Sequence, residues 1–127
     1  MKTLKEEDNI SYDIRGAAFN IYNELGPGLL ESVYEATMAF SLTKMGRKVK
    51  VQLPIPVVFE EVKLELGFRL DLLVDDLVIV EIKSVETLLP VHHKQLLTYL
   101  KLTNKKLGIL INFNEEPLKI IRIVNGL

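Results

Sequence analysis

No cysteine occurs among the 127 residues, which excludes disulfides and thiolate metal sites. There is also no run of about 18 apolar residues, so no helical membrane span is expected. The opening MKTLKEEDNI carries no apolar stretch of the signal-peptide kind, and a cytoplasmic location is the resulting expectation. Charge of one sign is missing as well. Sixteen Lys and Arg against 17 Asp and Glu leave a net −1. Global charge therefore gives no support for nucleic-acid binding, which would need a local basic face. Internal repeats, Pro/Ser-rich linkers and blocks of like charge are absent too. At 48% hydrophobic the chain can bury a core, and one domain over 1–127 is expected.

What is present alternates between two periodicities. From Ile10, the apolar residues Ile14, Ala18, Ile21 and Leu25 recur at helical spacing, and Gly26-Pro27-Gly28 ends that helix. A second helix is expected over Leu29–Met45, with Leu30, Val33, Thr37, Phe40 and Met45 on its inner side and Gly46 as cap. Strands follow. Val49, Val51 and Leu53 alternate with polar residues, and Pro54 and Pro56 interrupt or displace an edge. Val57–Phe59 and Val62–Leu66 form a hairpin around Glu60-Glu61, and Phe68–Val74 and Leu77–Val85 another around Asp75-Asp76. Pro90–Leu102 returns to helical spacing through Leu96, Leu97 and Leu100. Leu107–Phe113 and Leu118–Val124 read as the last strands. The step from the Glu81 strand through this helix to Ile109 is a right-handed crossover between parallel strands. The fold class is α/β: a three-layer domain with a mixed sheet, an antiparallel meander plus a parallel crossover strand, flanked by helices.

The stretch DLLVDDLVIVEIKS, residues 71–84, sets Asp71, Glu81 and Lys83 among Leu, Val and Ile. Burying such groups is expensive unless they are paired or hold a metal. A two-residue loop at Asp75-Asp76 would pair Asp71 with Val80 and send Glu81 to the other face. One more loop residue pairs Val74 with Val78, Leu73 with Ile79, Asp71 with Glu81 and Arg69 with Lys83. That register is favoured, because one face then carries Arg69, Asp71, Glu81 and Lys83. The other carries Phe68, Leu70, Leu72, Val74, Val78, Val80 and Ile82. It also sets two repelling carboxylates side by side, which suggests a cation between them. The plain alternative is a solvated surface pair on an amphipathic strand. An internal control shows that E-x-K alone says little: Glu61-Val62-Lys63 has it too, but Val51 stands ten residues before Glu61.

Further along, His92, Gln95 and Tyr99 share one helical stripe, distinct from that of Leu96, Leu97 and Leu100. His92 reads best as a polar surface residue. His92-His93 is no metal pair, because adjacent helical residues point about 100° apart. Gln95 and Tyr99, on the helix after the Glu81 strand, can reach the same cleft.

Gly28-Leu29-Leu30-Glu31-Ser32-Val33-Tyr34 matches G-x-x-E-x-x-Y. With RLDLLVDDLVIVEIKSV, PVHHKQLLTYL and LGILINF, the chain resembles the GxxExxY proteins, small members of the PD-(D/E)XK nuclease-like superfamily, from about Ile10 to Val124. The resemblance implies that Asp71 is the catalytic acid and that Glu81 and Lys83 are the E-x-K. It makes Glu31 the first-helix Glu, and Gln95 and Tyr99 a Q-x-x-x-Y. Leu70 stands where the motif's Pro would be. Gly26 and Gly28 read as chain breakers between helices rather than a phosphate loop.

The expected function is a Mg²⁺- or Mn²⁺-dependent phosphodiesterase acting on DNA, ahead of RNA. Asp71, Glu81 and the Ile82 carbonyl would be metal ligands, and Lys83 would position water or phosphate. Glu31 would hold a second metal or act as base, and Gln95 and Tyr99 would orient Lys83 or a phosphate. Lys44, Arg47, Lys48 and Lys50 read as surface charges rather than backbone contacts. The partner is nucleic acid, with no membrane, and the pattern is compatible with a homodimer. The rival is a non-catalytic module of the same fold that holds nucleic acid or protein.

Overall fold

A computed structural model describes residues 4–126, without the side chains of residues 65 and 66. Met1–Thr3 and Leu127, and with them the two ends of the expected 1–127 domain, lie outside the described residues. Helices α1 (Lys5–Leu25) and α2 (Glu31–Lys44) precede strands β1 (Val49–Phe59), β2 (Val62–Val74) and β3 (Val78–Lys83). Helix α3 (Pro90–Thr103) leads to β4 (Leu107–Asn112) and β5 (Lys119–Val124). The five strands form one sheet in the order β1-β2-β3-β4-β5, in which β3 and β4 are parallel and every other pair is antiparallel. Both faces are covered. One core joins α1 and α2 to the sheet through Ile14, Tyr34, Met38, Leu72, Val80 and Ile111. The other joins α3 through Leu70, Leu73, Ile79, Leu96, Leu100 and Leu110. Strands buried on both sides read as apolar runs, as β4 and the Val78–Val80 part of β3 do. This is the mixed-sheet α/β architecture expected from the sequence.

Helix α1 begins earlier than its apolar spacing suggested, at Lys5, and buries Ile10, Ile14, Ala18 and Ile21 but leaves Leu25 exposed. The inner side of α2 is not the expected one. Tyr34, Met38 and Leu42 are fully buried, while Leu30, Val33, Phe40 and Met45 are exposed. Two apolar stripes compete on this helix. The stripe headed by Tyr34 wins over that of Phe40 because the tyrosine hydroxyl also finds partners inside. Tyr34 Oη donates to the Gly26 carbonyl (2.6 Å) and accepts the Leu29 amide (3.1 Å), and the ring stacks on Phe113 with centroids 4.2 Å apart. The chain can reverse between the helices because Gly26 and Gly28 hold φ of 70° and 94°.

Of the two prolines, Pro54 stays in register opposite Arg69, while the pairing of β1 with β2 is displaced at Pro56, between Ile55 and Val57, in the outermost strand where proline is tolerated. Both turns of the meander have two residues at positive φ: Glu60 and Glu61 at 50° and 64°, Asp75 and Asp76 at 52° and 60°. The second is anchored by Arg47, 2.9 Å from both Asp13 and Asp75, and by the Lys48 amide on Asp75 Oδ1. Arg47 is thus structural, and Lys50 pairs with Asp76 at 3.2 Å.

Gly108 lets α3 sit directly on the sheet: a Cβ there would lie 2.9 Å from three carbons of Leu96.

Candidate functional site

The β2–β3 register begins as expected, with Val74↔Val78, Leu73↔Ile79 and Leu72↔Val80, and the ladder then stops. Side chains take over the next bonds. The Asp71 amide donates to Glu81 Oε2 at 2.9 Å, and the Ile82 amide donates to Asp71 Oδ2 at 2.8 Å. Each carboxylate thus satisfies a backbone donor of the facing strand. The strands part at this point instead of pairing Arg69 with Lys83, and Arg69 pairs only with Pro54 of β1.

The clean division into a charged and an apolar face does not hold. Along β2, Leu72 and Val74 enter the α1–α2 core, whereas Leu70 enters the α3 core and Phe68 packs edge-on against Tyr99. Along β1, Val49 faces α2, and Val51 lines a hollow with Phe40, whereas Leu53 and Ile55 pack with α3. Alternate residues of a regular strand stay on one face. Both strands therefore reverse faces, β1 at Gln52 and β2 at Asp71. These two residues lie opposite each other, between the pairs Val51↔Leu72 and Leu53↔Leu70. Gln52 has φ of 52°, a conformation that costs a non-glycine residue on the order of 1–2 kcal/mol. Its amide nitrogen donates to Glu35 Oε2 at 2.7 Å and lies 3.4 Å from Asp71 Oδ1. The kink thus sits beside the carboxylates.

Around this split the remaining candidates fall into two groups. Lys83 Nζ donates to Gln95 Oε1 at 3.3 Å. Tyr99 is buried in the α3 core, not on an outer polar stripe with Gln95, and burial first, then the charges of Glu81 and Asp71, raise its hydroxyl above the ordinary tyrosine range. Glu31 meets the end of the same strand: its Oε2 accepts the Ser84 amide at 3.0 Å, while Ser84 Oγ donates to the Leu29 carbonyl at 2.6 Å. Ile82 turns its side chain into the α1–α2 core and its amide to Asp71. His92 stands apart; its Nδ1 accepts the Leu89 amide at the start of α3.

Three contributors were not singled out from the sequence. Glu35 follows Glu31 by one helical turn, and that i, i+4 spacing was the available signal. Gln52 had none, because its part depends on a positive φ. Asn112 is fully buried and ties the chain after β3 to the end of β4. It accepts the Val85 amide and donates to the Val85 carbonyl and Glu115 Oε2.

Electrostatically the pair is loaded. Glu81 is 3% exposed. Burial first, then the neighbouring Asp71 charge, push its carboxyl up to about 8, although the Asp71 amide and Lys83 pull the other way. Asp71 is raised chiefly by burial, against the Ile82 amide and Lys83. Glu35 is raised by burial and by Asp71 and Glu31, with Gln52 opposing. Two carboxylates that cannot both ionise comfortably form a donor set suited to a hard divalent cation. Asp71 Oδ2 and Glu81 Oε2 are taken by backbone amides, while Asp71 Oδ1 has only the long 3.4 Å contact from Gln52 and the other oxygen of Glu81 has no hydrogen bond among the described residues. Among the described residues no three carboxylate or imidazole side chains gather as a ready cluster. A hollow of about 400 Å³ at the end of β3 is lined by Gly28, Leu29, Glu31, Ser84 and Asn114, and one of about 470 Å³ between β1 and β2 by Pro54, Pro56, Lys63, Phe68 and Arg69; neither is lined by Asp71 or Glu81.

An acid and an E-x-K at the opened end of a meander, followed by a crossover helix, define an α/β fold of the nuclease kind. The chain belongs to the PD-(D/E)XK nuclease superfamily, whose model matches residues 8–123. Nucleases of this superfamily typically use divalent metals such as Mg²⁺, and their substrates are nucleic acids. The solved structure of SSO0001 is similar in fold, with a TM-score of 0.58 at 19% identity over 76% of this chain. The chain spans about half of that structure, 51% of its length. No curated protein matches the chain. Among the described residues no helix is long and apolar enough to cross a membrane.

Proposed function

We propose that this chain is a divalent-metal-dependent phosphodiesterase of the GxxExxY type that hydrolyses DNA. The observation that carries the reading is the interlock of Asp71 and Glu81 across the opened strand pair, with Lys83 held by Gln95 beside it. Asp71, Glu81 and the Ile82 carbonyl would hold Mg²⁺ or Mn²⁺, which when bound supplies Lewis acidity and a more acidic water. Lys83 donates to a non-bridging phosphate oxygen, where negative charge builds as water attacks phosphorus and the bond to the leaving oxygen breaks. Gln95 fixes the direction of that ammonium. Glu31, with one oxygen on the Ser84 amide, uses the other to take the water's proton. Tyr99 forms the wall beside the carboxylates and limits their contact with water.

The test is cleavage of single-stranded DNA, duplex DNA and RNA with Mn²⁺, by wild type and by Glu81→Ala and Lys83→Ala. Metal-dependent cleavage of DNA that both variants lose supports the reading. A wild type that cleaves none of the three while still binding them makes the chain a non-catalytic binding module.

A further inference from the structure

Resting on the reading of Asp71 as a metal ligand, we propose that Gln52 is its positioning residue, anchored on Glu35 of α2 and aimed at the Asp71 oxygen that the Ile82 amide leaves over. The backbone gives the first sign. Among the described residues, the other non-glycine residues at positive φ are Glu60, Glu61, Asp75 and Asp76 in the two hairpin turns and Asn104 at the end of α3. Gln52, at 52°, alone lies inside a strand. A glycine would adopt that φ without steric cost, so the bend in β1 gives no reason for a glutamine. What glutamine adds is its side chain, and backbone strain held beside reactive groups points to a function for the strained residue.

That side chain bridges two acids. Gln52 Nε2 donates to Glu35 Oε2 at 2.7 Å and lies 3.4 Å from Asp71 Oδ1. The neighbours fix the amide's orientation, because turned over it would set its oxygen against two carboxylates. The two contacts are unequal. The one to Glu35 is short and charge-assisted, and ties the amide to α2. The one to Asp71 is long, and a carboxylate oxygen has a second lone pair for another partner. Asp71 Oδ2 is already held by the Ile82 amide at 2.8 Å. With a donor at each oxygen the carboxylate keeps one rotation, which is how outer-shell partners orient a metal ligand. The bridge is also neutral. A lysine or arginine at this position would pair with both acids and compete with a cation, whereas an amide separates them and leaves their charge for the metal. Helix α2 thereby braces both opened strands. Glu31 holds β3 at the Ser84 amide, 3.0 Å away, and Glu35, one turn on, holds β2 through Gln52.

Isothermal titration with Mn²⁺ tests this on wild type, Gln52→Gly, Glu35→Gln and Glu35→Ala, each with a melting curve in EDTA and with DNA cleavage measured in parallel. Gln52→Gly keeps the bend and deletes the bridge. It should melt at the wild-type temperature or above, yet bind Mn²⁺ about tenfold more weakly, the scale of a lost outer-shell partner. Raising Mn²⁺ about tenfold should restore its cleavage, because a positioning residue leaves the chemical step intact. Both Glu35 variants lose the same charge, but only the glutamine keeps an oxygen for the Gln52 amide. Glu35→Gln should therefore bind Mn²⁺ more tightly than Glu35→Ala. Should Gln52→Gly melt early, the two Glu35 variants alone decide, because neither touches the bend. Wild-type Mn²⁺ affinity in Gln52→Gly, equal affinity in the two Glu35 variants, or cleavage by Gln52→Gly that stays low at saturating Mn²⁺ overturns the positioning role, while Mn²⁺-dependent cleavage by wild type keeps the nuclease reading. The expected order of affinities with no cleavage by wild type keeps the positioning role and overturns the nuclease. A wild type that binds no Mn²⁺ overturns both.

Discussion

Metal binding should be tied to a proton, because Glu81 holds one up to about pH 8 through burial and the Asp71 charge. A carboxyl must lose that proton to ligate. With its titration near 8, roughly one Glu81 in 100 is ionised at pH 6 and half at pH 8. Apparent Mg²⁺ affinity should therefore rise about 50-fold between those values, with close to one proton released per ion at pH 7. The metal-free protein has the opposite sign. Its folded state keeps a proton that the unfolded chain has released above the ordinary 4.5. Stability is therefore lost as pH rises from about 4.5 to about 8, on the order of 5 kcal/mol at 1.4 kcal/mol per pH unit. Isothermal titration at pH 6, 7 and 8, in buffers of different ionisation enthalpy, reads both affinity and proton count. Melting curves with EDTA and with Mg²⁺ read the stability term, and the metal's effect should be greatest at pH 8. An affinity that stays flat from pH 6 to 8, or proton release near zero, refutes the assignment of Glu81 as a ligand.

Three substitutions extend the test. Asp71→Asn keeps an oxygen for the Ile82 amide and removes the charge that presses on Glu81. In EDTA at pH 8 it should melt at the wild-type temperature or above, yet gain little from Mn²⁺ and lose cleavage; an equal metal response in both proteins removes Asp71 from the ligand set. Tyr34→Phe strands the Gly26 carbonyl and the Leu29 amide and should cost about 1–3 kcal/mol, read as a fall in denaturant midpoint at unchanged slope. Gly108→Ala forces α3 off the sheet at Leu96 and should cost about 1–3 kcal/mol by the same measurement; no loss would mean that Leu96 turns aside freely.

The sequence determined most of the scaffold by itself, because its signals are local. Helical spacing, Gly26-Pro27-Gly28, the acidic turns and the apolar runs Val78–Val80 and Leu107–Ile111 each depend on neighbours in the chain. The one-residue-longer register was legible because it sets Asp71 opposite Glu81 instead of Val80, and its pairs Val74↔Val78, Leu73↔Ile79 and Leu72↔Val80 are the ones the structure has. The inner stripe of α2 was not legible. Leu30, Val33 and Phe40 are as apolar as Met38 and Leu42, and the choice fell to Tyr34, whose hydroxyl needs Gly26 and Leu29 and whose ring needs Phe113 from the far end of the chain. The meeting of Asp71 with Glu81 was expected as a pair on a flat charged face. Only the tertiary structure decided its form. Two strands reverse faces together at Gln52 and Asp71, the ladder opens, and carboxylates replace its bonds. A reversal of this kind depends on what lies above and below the sheet, here α2 on one side and α3 on the other. Periodicity along one strand carries no record of either.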